Sequence, residues 1–138
     1  MATDALREWL ASPHPDMEGN GSPIENMMLR ALLYEQPKYI RRNGTRFPTI
    51  FPQYEISPYR ADFVLSGAAC PVVVECDGHD FHERTKEQAA SDKRRDRYMT
   101  EAGYKVLRFT GSEVYANPFV CAQQAFRLAA GYDAEAEA

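Results

Sequence analysis

The chain has 138 residues, 44% hydrophobic and 26% charged, with 16 Lys and Arg against 20 Asp and Glu for a formal net charge of -4. That length carries one domain whose core needs neither disulfides nor a structural metal, and no apolar stretch approaches the roughly 20 residues that a membrane-spanning helix requires. Cys70, Cys76 and Cys121 are odd in number and lack C-x-x-C spacing, which argues for reduced thiols over a disulfide frame or a four-thiolate zinc site. The N-terminus has no secretory pattern, so the expected location is cytoplasmic.

Asp4 to Leu10 is expected to form a short helix, and Ala11 to Gly21, with two prolines and two glycines, a loop or linker. Residues 1–21 precede the main domain, residues 22–130. Ser22-Pro23-Ile24-Glu25 matches a capping box with proline at the first helical position, and Ile24, Met27, Met28, Ala31 and Leu32 follow at helical spacing, which predicts a helix to about Tyr34. Glu25 then has a structural role, reaching back to the Ser22 N–H. Arg41 to Phe47 reads as a polar turn. Thr49 to Ile56 reads as a strand that Pro48, Pro52 and Pro58 confine to an edge or a bulge.

Tyr59 to Leu65 alternates, with Tyr59, Ala61, Phe63 and Leu65 on one face and Arg60, Asp62 and Val64 on the other. Ser66 to Pro71 is a link of small residues suited to a hairpin. Val72, Val73 and Val74 form the uninterrupted β-branched run of a strand covered on both faces. Period 2 sends Val73, Glu75 and Asp77 to one side and Val72, Val74 and Cys76 to the other, before Gly78 frees the backbone to turn. A polar stretch leads to a helix ending near Ala102, anchored by Tyr98, Met99 and Ala102 and stopped at Gly103. Lys105 to Thr110 is a further strand and Pro118 to Ala130 a final helix, with a frayed acidic tail over 131–138. The order describes an α/β domain with a mixed sheet flanked by helices.

With the hairpin tip near Ala68 and Ala69, Asp62 falls opposite Glu75. Cβ atoms of such pairs lie roughly 5 Å apart, and like charges there are destabilising. A divalent cation would compensate, since Mg²⁺ takes one or two carboxylates with waters or phosphates completing its shell. The alternative is neutralisation by Arg60 or Arg108. His82, with an ordinary pKa near neutrality, suits a general acid or base, or else a helix cap; His79 is a weaker candidate. Asp92 and Arg95 read most simply as a helical ion pair at i, i+3. The negative net charge disfavours a nucleic-acid partner, but basic residues cluster at Lys38, Arg41, Arg42 and Arg46 and at Lys93, Arg94, Arg95 and Arg97.

Asp62, a loop and Glu75-Cys76-Asp77 resemble the PD-(D/E)XK nuclease pattern, with Asp77 where the usual lysine stands. The ordered set is similar to small relatives of the very-short-patch-repair endonuclease: S-P-x-E at Ser22 to Glu25, a Gln-to-D-F segment from Gln53 to Phe63, E-x-D-G followed by histidine, a charged helix, and G-Y-x-V-L-R-F at Gly103 to Phe109 with Glu113-Val114 beyond. The resemblance implies a restriction-endonuclease-like α/β/α fold, three layers about a central mixed sheet of some four strands, and metal-dependent cleavage of DNA with Mg²⁺ or Mn²⁺. It implies Asp62 and Glu75 as metal ligands, joined by the Cys76 carbonyl, with Asp77, His82 and Glu25 as further catalytic positions. Lys86, Lys93, Arg94, Arg95, Arg97, Arg41 and Arg42 are the expected DNA contacts, and Lys86, Lys93 or Arg95 would replace the motif lysine. A DNA-binding module without cleavage and a metal hydrolase of another substrate remain as rival classes.

Overall fold

The computed structural model describes residues 3–44, 46–67, 69–78 and 85–135. Helix α1 (Asp4–Ala11) and a 3-10 turn (Pro15–Met17) lead into the long helix α2 (Pro23–Asn43). Strands β1 (Thr49–Ile56), β2 (Tyr59–Ser66) and β3 (Pro71–Asp77) follow as a meander, then α3 (Lys86–Glu101), β4 (Lys105–Thr110), α4 (Gly111–Ala116) and α5 (Pro118–Ala130). The sheet has the order β1-β2-β3-β4, antiparallel except for the parallel pair β3 and β4 that the α3 crossover joins.

The sheet is covered on both faces. On one, α2 and α5 pack over Phe63, Leu65, Val72 and Val74, with Ala122, Ala125 and Ala129 as a fully buried small-residue stripe on α5. On the other, Met99 of α3 meets Ala61, Val64 and Val73. This is the expected three-layer α/β/α architecture, and the uninterrupted valines are fully buried because both faces of β3 are covered.

Several elements depart from the sequence-based expectation. Helix α2 runs nine residues past Tyr34, through Pro37, to the left-handed cap at Gly44. An interior proline costs one helical hydrogen bond, which tertiary contacts offset: Tyr39 is fully buried and stacks on Phe126 with centroids 5.3 Å apart, and Lys38 bridges Glu35 and Glu135. Arg41 and Arg42 therefore lie in the last turn of a helix, not in a loop. The residues after α5 are tied down as far as Glu135, for the Tyr132 hydroxyl donates to the Tyr39 carbonyl at 3.1 Å. Within Ala11 to Gly21, Met17 is fully buried and joins Leu10 in the α2 core.

β2 does not keep one face throughout, since Ala61 packs toward α3 while Phe63 and Leu65 pack toward α2 and α5. The break stands opposite Gln53, whose backbone is left-handed at φ 52°. α4 fills the step from β4 to α5; Thr110 and Glu113 form its capping box and Val114 is its buried anchor.

Gly67, at the β2–β3 turn, lies against the backbone of α5. A Cβ there would lie 2.1 Å from the Ala129 carbonyl oxygen, backbone that cannot rotate away. Gly67→Ala is expected to lower the urea midpoint at unchanged m-value, by about 1–3 kcal/mol of overpacking. An unchanged midpoint would show that the turn and α5 separate freely.

Candidate active site

β1 and β2 pair along their whole length, from Thr49↔Ser66 to Ile56↔Tyr59, whereas β2 and β3 pair only from Ser66↔Pro71 to Phe63↔Val74. The sheet forks one residue later, and the fork carries the two acids. There the carboxylates replace the missing ladder bonds: the Asp62 N–H donates to Glu75 Oε2 at 3.1 Å, and the Cys76 N–H donates to Asp62 Oδ2 at 2.8 Å. Each side chain thus occupies the amide of the opposite strand. The expected juxtaposition of Asp62 and Glu75 is present.

Beyond the fork, the β1–β2 tip is held by α3. The Tyr98 hydroxyl donates to the Ser57 carbonyl at 2.6 Å, Tyr98 meets Tyr59 edge-on with centroids 5.4 Å apart, and Arg95 donates to the Arg60 carbonyl at 2.6 Å. Arg95 also forms an ion pair with Glu75 Oε1. This corrects one expectation: the cation paired with the acids is Arg95, neither Arg60 nor Arg108. Of the three residues expected to stand in for the motif lysine, Arg95 is the one that lines the cleft.

An open cleft of about 230 Å³ results, lined by Asp62, Glu75, Cys76, Asp77 and Gly78 from the sheet, Gln88, Asp92 and Arg95 from α3, and Arg108 from β4. Arg108 stands beside Glu75 in the parallel register and bonds Asp96 at 2.7 Å. The Nε atoms of Arg95 and Arg108 are buried and have no hydrogen-bond partner among the described residues. Two guanidinium groups lining an open cleft suit an anionic oxygen ligand such as a phosphate.

Glu75 is 1% exposed. Burial, reinforced by the Glu75 charge, pushes the Asp62 carboxyl up to about 7, against the opposing pull of the Cys76 amide and Arg95. Burial first, then the Asp62 charge, also raises Glu25. Glu25 stands in the first turn of α2; its N–H donates to Ser22 Oγ at 3.2 Å, and it accepts from that hydroxyl at 3.2 Å and from Gln53 Nε2 at 3.1 Å. The left-handed backbone of Gln53 is of a kind that costs on the order of 1–3 kcal/mol and concentrates at functional sites.

Among the described residues no three His, Cys, Asp or Glu side chains gather as a ready-made metal cage. The donors present still fit a hard cation. Mg²⁺ needs only one or two carboxylates plus waters or phosphates, and an acid pair with a single arginine against it leaves Asp62 short of positive charge. Burial, then the charges of Asp62, Glu25 and Glu75, drive the Cys76 thiol far above its ordinary range, so Cys76 is not a thiolate ligand for such an ion.

Of the other expected positions, Asp77 lines the cleft, half-buried, and His82 and His79 lie outside the described residues. Lys86, Lys93, Arg94 and Arg97 are exposed on α3. Arg41 and Arg42, exposed near the other end of α2, stand about 24 Å along the helix from Glu25 at 1.5 Å per residue. Gln88 and the pairing of Arg95 with Glu75 escaped the sequence reading. Their signal was the spacing of Gln88, Asp92, Arg95 and Met99, which repeats at i, i+4, i+7 and i+11 and so marks one helix face.

The REase_MTES_1575 family model matches residues 37–127. The chain belongs to this restriction-endonuclease-like family. The match spans the fork, α3 and β4, and so places the protein within the PD-(D/E)XK nuclease superfamily; Glu25 lies before it. No curated protein and no solved structure matches the chain. No helix among the described residues is long and apolar enough to cross a membrane.

The Asp62 environment sets a pH dependence for the metal-free protein. With its folded pKa near 7 and its unfolded pKa near 4, the folded state binds the proton more tightly. The stability from that proton is complete below about pH 4, falls as pH rises through 7, and is absent above. In EDTA, Asp62→Asn is expected to remove this slope and to be more stable than wild type at pH 8, by on the order of 2–4 kcal/mol. Parallel stability curves for the two proteins from pH 4 to 8 would contradict it.

Proposed function

We propose that the protein is a divalent-metal-dependent endonuclease that hydrolyses DNA phosphodiesters. The observation that carries this reading is the forked strand pair, which fixes Asp62 and Glu75 side by side in an open cleft, with Arg95 paired to Glu75 and Arg108 in the lining. Family membership supports nuclease chemistry at that place in the fold. Within the superfamily we place the chain beside the very-short-patch-repair endonuclease on its ordered motifs, without extending that enzyme's mismatch specificity to it.

Asp62, Glu75 and the Cys76 carbonyl would hold Mg²⁺ or Mn²⁺, which supplies charge neutralisation at the phosphate and acidifies water. The chain's own groups do the rest. Arg95 stands where it can meet both Glu75 and a phosphate, and so takes the part of the motif lysine that Asp77 leaves open. Glu25, raised by burial and steadied by Gln53 and Ser22, is suited to take a proton. Asp77 lines the cleft and His82 follows it in the chain as a second candidate for proton transfer or phosphate contact. The exposed Lys86, Lys93, Arg94 and Arg97 bind the DNA backbone, with Arg41 and Arg42 as a separate contact farther along the duplex.

One observation favours a second reading, DNA binding without cleavage: Arg95 already neutralises Glu75. Incubation of supercoiled and single-stranded DNA with Mg²⁺, Mn²⁺ or EDTA separates the two. Cleavage is expected only with metal, and Asp62→Ala and Glu75→Ala should each lower its rate at least about 10²-fold while DNA binding persists. Binding with no cleavage by wild type would leave the binding module; undiminished cleavage by both variants would remove the fork from the mechanism.

A further inference from the structure

β1 is the outer edge of the sheet, and it carries an aromatic pair that the cleavage chemistry does not use. Phe51 and Tyr54 are 40% and 41% exposed, with ring centroids 5.7 Å apart and planes tilted by 53°. In a regular strand, residues three apart point to opposite faces. Gln53 lies between them with φ 52°, and this reversal of the alternation brings the rings together. The same residue sends its side chain to Glu25 at 3.1 Å. One distorted position therefore makes two placements, an aromatic pair outside and a polar link to the site inside.

The register says which face the rings occupy. Phe51 is the partner of Val64, and Val64 of Val73; residues directly opposite point the same way. Val64 and Val73 pack against Met99 of α3, and Asp62 and Glu75 stand two residues beyond them on the same strands. Phe51 is thus on the carboxylate face, one strand outward. Tyr54 joins it there, opposite Ala61, which also packs toward α3. The sheet order sets the acid-bearing strands between β1 and β4, the strand on which α3 packs. α3 lines the cleft with Gln88, Asp92 and Arg95 and carries Lys93, Arg94 and Arg97 exposed on its outer face. Glu55, the acid nearest the rings in sequence, is paired across the strands with Arg60.

Cations that track phosphates beside flat apolar faces that accept bases are the two chemistries by which proteins bind single-stranded nucleic acid. The bases of an intact duplex are already stacked on one another and cannot use the rings. We propose that Phe51 and Tyr54 form a stacking platform for unpaired nucleobases, so that the preferred substrate of this site is single-stranded DNA or a duplex with bases unpaired beside the scissile phosphate. The inference rests on the nuclease reading and narrows its substrate.

The test measures binding of a fluorescein-labelled single-stranded oligonucleotide and of its perfect duplex by anisotropy in EDTA, for wild type, Phe51→Ala/Tyr54→Ala and Phe51→Trp/Tyr54→Phe. The alanine pair is expected to weaken single-strand binding at least about 10-fold and duplex binding less than about 2-fold, while the aromatic pair retains both. Retained duplex binding also shows that the alanine variant is folded. Equal losses on the two probes, or none, would overturn the platform while leaving DNA as substrate. A wild-type dimer in sedimentation velocity that the alanine pair converts to monomer would overturn it in favour of self-association. Wild type that binds neither probe would overturn the nuclease reading along with it.

Discussion

The exchange of hydrogen bonds at the fork, Asp62 N–H to Glu75 and Cys76 N–H to Asp62, is the constraint from which the rest of the site follows. A strand pair that opens inside a fold leaves amides that must find partners. Here the partners are carboxylates, so closing the backbone account places two acids next to each other in a buried setting. Like charges so placed repel, and burial adds to the cost of ionising them. Arg95 offsets one of the two. Asp62 is left with its carboxyl pushed up to about 7, a group that favours either a proton or a cation beside it.

The same polar links hold the α3 layer. Met99 is the only fully buried hydrophobic side chain of that helix among the described residues, and burying one large side chain supplies roughly 1.5–3 kcal/mol. The Tyr98 bond to Ser57, the Arg95 bonds to Arg60 and Glu75, and the Arg108 bond to Asp96 connect the helix to the fork and its tip. Site and scaffold therefore share interactions. A ligand that draws Arg95 away from Glu75 also alters how α3 is held, which couples occupancy of the cleft to the position of the exposed cations on that helix. The opposite layer rests on an apolar core, where α2 and α5 meet around Phe126 and the buried alanines, and reaches the site through Glu25 and its bond from Gln53.

Strands and register were legible because period-2 alternation and the valine run leave few alternatives once a short link joins them; a one-residue slip would have moved Asp62 off Glu75 and turned β2 inside out. The capping signals were legible at Ser22 but passed over at Thr85-x-x-Gln88 and Thr110-x-x-Glu113, where they open α3 and α4. The far half of α2 was hidden because a local rule, proline ends a helix, loses to burial of Tyr39. Tyr132 was hidden for the same reason, since its partner Tyr39 lies 93 residues away. Asp62 and Glu75 could be read as a pair from hairpin geometry alone, whereas Arg95 could not, because its approach to Glu75 depends on how a crossover helix settles on the sheet. The break in β2 came from the conformation of Gln53, which no propensity for glutamine would suggest.

The central claim is that the fork is a cation site whose carboxylate carries a proton until the cation arrives. Calorimetric titration of the metal-free protein with Mn²⁺, repeated in buffers of different ionisation enthalpy, tests it without recourse to DNA or turnover. The account predicts binding that releases close to one proton at pH 6 and almost none at pH 8.5, with Asp62→Asn losing both the affinity and the release. Binding without proton release at pH 6, or undiminished binding by Asp62→Asn, would contradict it.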